Sequence, residues 1–283
     1  MSVLVFGETG QLGRELARHP GTVCLGRDRA DFTDPRDPVT RVEDTGAQAV
    51  IIAAAYTAVD RAESEEELAT TVNAHTPGAI ARACAARGLP LVYLSTDYVF
   101  DGRGTAPWRP QDPAGPVNAY GRSKLAGEQA VRAAGGPHVI LRTSWVVSAH
   151  GSNFVKTMLR LGRERDRLSI VADQLGGPTP ARALAAACLE IARQLAADPG
   201  KSGTYHFAGA PDVSWADFAR ETFAQAGIAC EVADIPGSAY PTPARRPLNS
   251  RLDCAALEAA FGIRRPDWRQ GLHEILDDLG ALA

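Results

Sequence analysis

The run Met1-Ser2-Val3-Leu4-Val5-Phe6 passes directly into Gly7-Glu8-Thr9-Gly10-Gln11-Leu12-Gly13. This junction limits the fold more than any other feature of the chain. A few consecutive apolar residues suit a strand buried on both faces, and glycine allows the sharp turn from such a strand into a helix. Glycine also lets backbone N–H groups approach an anion, while the helix that follows brings its partial positive charge to the same place. A strand, a turn of Gly7, Gly10 and Gly13, and a helix therefore predict a dinucleotide pyrophosphate site. The spacing is G-x-x-G-x-x-G rather than the commoner G-x-G-x-x-G.

The pattern repeats downstream. Val3–Phe6, Val23–Leu25, Ala49–Ala54, Leu91–Leu94 and Val139–Leu141 are short apolar runs rich in Val, Ile and Leu. Helix-forming stretches, Gln11–Arg18, Glu63–Val72, Pro77–Arg87 and Tyr120–Ala134, separate them. Such alternation predicts an α/β fold, a Rossmann-like doubly wound parallel sheet, with a smaller C-terminal α/β lobe. Residues 1–150 are expected to form the dinucleotide-binding domain, with a segment near 180–210 returning to it, and residues 151–283 to be mainly substrate-binding. In that half, helices are predicted near Phe154–Leu161, Ala181–Ala196 and Trp215–Ala226, and the proline-rich stretch Pro236–Pro247 is expected to be loop.

Thirty Lys and Arg against thirty-three Asp and Glu leave a net charge of −3 over 283 residues, so no basic excess points to nucleic acid. An anionic ligand must then meet a local basic cluster. Arg245, Arg246 and Arg251 around Pro247-Leu248-Asn249 supply one, with Arg246 and Arg251 as the expected phosphate contacts. No apolar run is long enough to span a membrane, and no secretory pattern is present. The five cysteines are widely spaced and form no metal motif, consistent with reduced thiols and a cytoplasmic protein.

Tyr120-Gly121-Arg122-Ser123-Lys124 is a Y-x-x-x-K element, which places a phenol and an ammonium on one helix face. A tyrosine so placed can protonate an alkoxide formed by hydride transfer, and a nearby cation assists it. Lys124 can also hold the nicotinamide ribose. Ser95-Thr96-Asp97-Tyr98 closes a buried strand, where ligands of open α/β sheets bind, and the Thr96 hydroxyl there can hold a substrate carbonyl. After the second strand, Cys24-Leu25-Gly26-Arg27 offers an arginine rather than the acid that grips ribose hydroxyls in NAD enzymes. Arg27 thus favours the 2′-phosphate of NADPH, with NADH still possible. Asp31 and Phe32 are expected to line the adenine.

Longer matches accompany these motifs. They include Ala53-Ala54-Ala55-Tyr56-Thr57-Ala58-Val59-Asp60, Ser95-Thr96-Asp97-Tyr98-Val99-Phe100-Asp101-Gly102, Lys124-Leu125-Ala126-Gly127-Glu128, Arg142-Thr143-Ser144-Trp145-Val146 and Tyr240-Pro241-Thr242-Pro243-Ala244. With them the chain resembles the dTDP-4-dehydrorhamnose reductase family, within the extended short-chain dehydrogenases, over nearly its whole length. The resemblance implies reduction of dTDP-4-dehydro-6-deoxy-L-mannose at C4 to dTDP-L-rhamnose. It implies Tyr120 as proton donor, Lys124 as its partner and Thr96 as the orienting hydroxyl. Gly10, Gln11 and Leu12 would meet the pyrophosphate, Ala55, Tyr56 and Thr57 the cofactor, and Thr96, Asp97, Tyr98 and Trp145 the sugar.

Some members of the family dimerise around magnesium. Glu15 matches one ligand, but Arg182 stands where an acid is expected, which argues against a metal here. The chain is expected to be a monomer or homodimer. Two alternatives remain open at this stage: a related dTDP-4-keto-6-deoxysugar reductase of an antibiotic-sugar pathway, and a non-catalytic nucleotide-binding regulatory subunit. Tyr98, where a glutamate would serve elimination, argues against a 4,6-dehydratase.

Overall fold

The computed structural model describes residues 1–283. Five strands, β1 (Val3–Phe6), β2 (Thr22–Leu25), β3 (Ala49–Ile52), β4 (Leu91–Thr96) and β5 (His138–Thr143), pair in parallel. A further strand, Gly203–His206, joins the outer edge of β5. Across the sheet the order runs from that strand through β5, β4, β3 and β1 to β2. The chain therefore leaves β1 to one side for β2 and returns on the other for β3. The crevice beyond the carboxyl ends of β1 and β3 is the switch point where such sheets take their ligands.

Because successive strand residues face opposite ways, each strand feeds two cores. Val3 and Val5 pack with Leu16, Leu184, Ile191 and Phe261 on one face, whereas Leu4 and Phe6 pack with Val42, Ile80, Tyr93 and Val131 on the other. Helices Gln11–Leu16, Ala181–Ala197 and Ala255–Phe261 thus cover the first face, and Arg36–Asp44, Thr76–Ala86 and Ala119–Ala133 the second. A separate apolar cluster, including Val155, Phe218, Trp268, Leu272 and Ile275, joins helices Phe154–Glu164, Trp215–Gln225 and Trp268–Asp278 in the second lobe. A parallel ribbon, Arg167–Val171 with Glu231–Ile235, lies beside them.

The structure departs from the sequence expectations in identifiable places. The stretch Glu63–Val72, expected as one helix, is instead broken. Short helices Val59–Ala62 and Glu66–Thr70 lead into a π-helical turn, Thr71–His75, that runs on into Thr76–Ala86. Such turns carry one extra residue and free a local carbonyl for another partner. Here Asn73 O accepts the Tyr93 hydroxyl at 2.7 Å. The ribbon, the helix Arg36–Asp44 and the helices after residue 250 also go beyond what the sequence showed. The Pro236–Pro247 stretch is loop apart from a single 3-10 turn, Gly237–Ala239.

Candidate active site

Strand β4 ends at Thr96, and the chain turns through the 3-10 segment Asp97–Val99. The Thr96 hydroxyl donates to Asp97 Oδ1 at 3.1 Å and accepts from the Tyr98 N–H at 3.2 Å. The helix Ala119–Ala133 begins opposite, its first turn fixed by Asn118, whose Oδ1 accepts from the Gly121 N–H at 2.7 Å. This sets the Tyr120 ring edge-on to Tyr98, with centroids 5.6 Å apart. Burial drives the Tyr120 pKa well up, and the nearby Thr96 hydroxyl works against that rise. Burial also raises the Asp97 carboxyl to about 7, and its Oδ2 has no hydrogen-bond partner.

Lys124 shares the helix face with Tyr120 but turns inward. Its ammonium donates to Leu94 O at 2.6 Å and lies 4.2 Å from the centroid of the Tyr93 ring. No hydrogen bond joins it to the phenol. Burial brings its pKa down to about 7, and the Glu128 carboxylate works against that fall. Thr96, Tyr120 and Lys124 therefore do gather at the end of β4, with the Thr96 hydroxyl donating to Asp97 and the Lys124 ammonium to Leu94 O rather than to the phenol.

The glycine turn lies across the crevice. A Cβ on Gly7 would meet Ala54 N at 2.6 Å, and one on Gly13 would overlap Gly7 O. Gly7 itself has φ +110°, which favours glycine. Gly7 and Gly13 are thus required by close backbone packing within the turn, while Gly10, the N-cap of the helix Gln11–Leu16, is uncrowded and has no side-chain cap, so the helix's first N–H groups fit a dinucleotide pyrophosphate. Leu12 is buried in the core, so only its backbone is available there. The Gln11 side chain reaches the second lobe, donating to Val146 O at 3.1 Å and accepting from Asn153 Nδ2 at 2.9 Å. Ala55, Tyr56 and Thr57 follow the carboxyl end of β3. Asn73 holds Tyr56 through both backbone groups, at 2.9 and 3.1 Å. The Tyr56 hydroxyl donates to Glu65 at 2.6 Å.

Beyond β2, the Arg27 side chain is 78% exposed and meets Asp31 at 3.6 Å. Phe32, by contrast, is a core residue packed edge-on against Phe6. Sequence reasoning missed two carboxylates here: Asp28 and Glu8 both approach the space above Gly26. It also missed Arg29, which is bound to Glu8 and to Cys24 O.

On the opposite wall, Trp145 adopts φ 49° and stacks on Trp215 with centroids 3.5 Å apart. Arg246 and Arg251 are both engaged within the protein. Arg246 grips Asp60 with two nitrogens, at 3.0 and 2.8 Å, and Arg251 donates to Asn249 at 2.8 Å. The Asn118 side chain holds Arg245 O at 2.8 Å, tying the proline-rich loop to the start of the Tyr120 helix.

Glu15 is buried away from this crevice, and the Arg182 guanidinium stands beside it. Arg182 meets Glu15 at 3.6 Å, Glu274 at 3.2 Å and Asp278 at 2.5 Å. Arg18 also meets Glu15 and Asp278, each at 3.5 Å, so two guanidinium groups already occupy this carboxylate set and it does not fit magnesium.

The family described as RmlD substrate binding domain matches residues 1–281. A dTDP-4-dehydrorhamnose reductase of Burkholderia thailandensis is 46% identical over 99% of this chain and 99% of its own length. The structure of a dTDP-4-dehydrorhamnose reductase from Clostridium acetobutylicum superposes with a TM-score of 0.92 at 36% identity, covering 99% of this chain and 100% of that one. The enzyme of that name from Bacillus anthracis, solved in complex with NADP, gives 0.90 at 34% identity, covering 98% of this chain and 100% of that one. With the glycine turn, Thr96 and Tyr120 placed as described and these matches spanning the whole chain, the protein belongs to the dTDP-4-dehydrorhamnose reductase family.

Proposed function

We propose that this chain reduces the C4 keto group of dTDP-4-dehydro-L-rhamnose to give dTDP-L-rhamnose, using NADPH. The observation that carries this reading is the gathering of Thr96, Tyr98 and Tyr120 at the carboxyl end of β4, in a chain with full-length relatives of that name. Gly7, Gly10 and Gly13, with the backbone of Gln11 and Leu12, would hold the pyrophosphate. Ala55, Tyr56, Thr57 and Lys124 would line the rest of the cofactor, and Arg27 would face its 2′-phosphate. When bound, the reduced nicotinamide supplies the hydride.

The chain's own residues manage the proton. Tyr120 is neutral throughout the physiological range, because burial holds its pKa high, so it enters the reaction as an acid. It gives its proton to the C4 oxygen as negative charge develops there. The Thr96 hydroxyl, turned from Asp97, would donate its one proton to that oxygen and position it. The Lys124 ammonium adds positive charge from behind the site. Asp97, Tyr98 and Trp145 would face the sugar. Arg246 and Arg251 would act by holding the loop that closes over the nucleotide, since their guanidinium groups are bound to Asp60 and Asn249.

The test is NADPH oxidation with dTDP-4-dehydro-L-rhamnose, followed by NMR assignment of the product at C4. Keto-sugar-dependent oxidation yielding the L-rhamno configuration is expected. No turnover, or a product of the other C4 configuration, would overturn the reading.

A further inference from the structure

Glu128 stands one turn beyond Lys124 and has no exposed surface. One carboxylate oxygen accepts from the Ser95 hydroxyl at 2.7 Å and from Arg142 Nε at 2.7 Å. The other accepts from Arg142 Nη2 at 2.7 Å and from Arg132 Nη2 at 2.8 Å. Burial would raise its pKa, but its bonds to Arg142 and Ser95 hold it below the usual carboxylate range. Ser95 is the residue before Thr96 on β4, and Arg142 lies opposite Ser95 on β5. A single charged side chain thus fastens the Tyr120 helix to two neighbouring strands beside Thr96.

Lys124 has no carboxylate within hydrogen-bonding reach, only the Leu94 carbonyl and the Tyr93 ring. The titratable and charged groups around it are Tyr120 and Glu128 from its own helix, Tyr93 from β4, Asp97 beyond β4, and Arg142 from β5. The Thr71–His75 turn contributes the uncharged Asn73. Among these, the negative charge that acts on the ammonium is that of Glu128.

We propose that Glu128 is a positioning residue for the reduction, fixing Lys124 relative to Thr96 and supplying the negative charge that keeps the Lys124 ammonium charged in a site closed to water. This rests on the role given to Lys124 above. Burial alone pulls the ammonium towards deprotonation, and Glu128 resists it. Lys124 carries its charge below its pKa, so turnover should fall as pH rises through that value. Without the Glu128 charge the fall should come earlier.

The experiment is the pH profile of kcat for wild type, Glu128→Gln and Glu128→Asp with dTDP-4-dehydro-L-rhamnose. Glu128→Gln should move the alkaline limb to lower pH by ~1 unit, a roughly tenfold loss at fixed alkaline pH. Glu128→Asp, which keeps the charge, should leave the limb near its wild-type position even where stability suffers. The double variant Glu128→Gln, Arg142→Met removes the pair without stranding a buried cation and should shift the limb in the same direction but by less, because the opposing Arg142 charge goes with it. An unmoved limb in both Gln variants, or an equal shift in Glu128→Asp, would overturn the proposal while leaving the reductase reading intact. Wild-type protein inert with this keto sugar at every pH would overturn the reductase reading, and this proposal with it.

Discussion

Tyr120 owes its usefulness as an acid to the burial that keeps its proton on, against the opposing influence of the nearby Thr96 hydroxyl. Tyr120→Phe should therefore lower kcat by roughly 10²–10⁴-fold, the range for a lost general acid, while NADPH affinity measured by fluorescence titration stays nearly unchanged. Near-normal turnover in that variant would remove the phenol from the mechanism. Arg27 makes a different case. Its single ion pair, to Asp31 at 3.6 Å, is long, and its side chain is 78% exposed, which leaves the guanidinium available to fork a phosphate. Glu8 is already paired with Arg29, so it is the repulsion from Asp28 that Arg27 must answer. Arg27→Ala should raise the KM for NADPH about tenfold or more and leave NADH little affected. An unchanged cofactor ratio would show that Arg27 does not meet the ligand. The types of these residues were legible in the sequence, but their pairings were not. Arg246 reads as a phosphate ligand until the fold brings Asp60 to it across 186 positions.

At the scale of elements, the Tyr120 helix works because it lies close against the π-helical turn Thr71–His75, and Gly127 is where they touch. A Cβ there would overlap both Asn73 O and the Tyr93 hydroxyl, the two ends of a 2.7 Å hydrogen bond. Gly127→Ala must break that bond or move the helix, and overpacking of this kind costs ~1–3 kcal/mol. A lower Tm is expected, together with a fall in kcat larger than any change in KM, because the displacement reaches Tyr120 and Lys124. A variant with wild-type Tm and kcat would show that the contact is slack. Strands β1 and β3 to β5 were legible because both faces are buried, which forces apolar residues at nearly every position. Gly203-Thr204-Tyr205-His206 lies at the sheet edge under weaker constraint and carries no apolar run. The π-helical turn left no signal either, since it depends on the Asn73 side chain reaching Tyr56 and Ser123 from elsewhere in the fold.

In the whole molecule, side chains that bridge the sheet and the second lobe hold the crevice together, and one of these joints is sensitive to acid. His206 ends the strand Gly203–His206 with no exposed surface. Its Nδ1 lies 3.0 Å from Trp108 O and its Nε2 lies 3.5 Å from Arg142 Nη1. A neutral ring with its proton on Nδ1 serves both contacts, donating to the carbonyl and accepting from the guanidinium. Trp108 in turn stacks on Phe100 and donates from its indole to Asn249 O at 3.1 Å, at the base of the proline-rich loop. Burial, reinforced by the Arg142 charge, lowers the His206 pKa from 6.5 to about 3. Between those values the unfolded chain binds a proton that the native protein refuses, so stability falls as pH drops through this window. The slope is at most ~1.4 kcal/mol per pH unit. Glutamine can make the same two contacts without titrating. In denaturant titrations between about pH 6.5 and pH 3, wild-type stability should therefore fall more steeply than that of His206→Gln, and the two should converge in slope above this window. Parallel slopes within it would show that protons enter the native structure elsewhere and that His206 does not govern the joint.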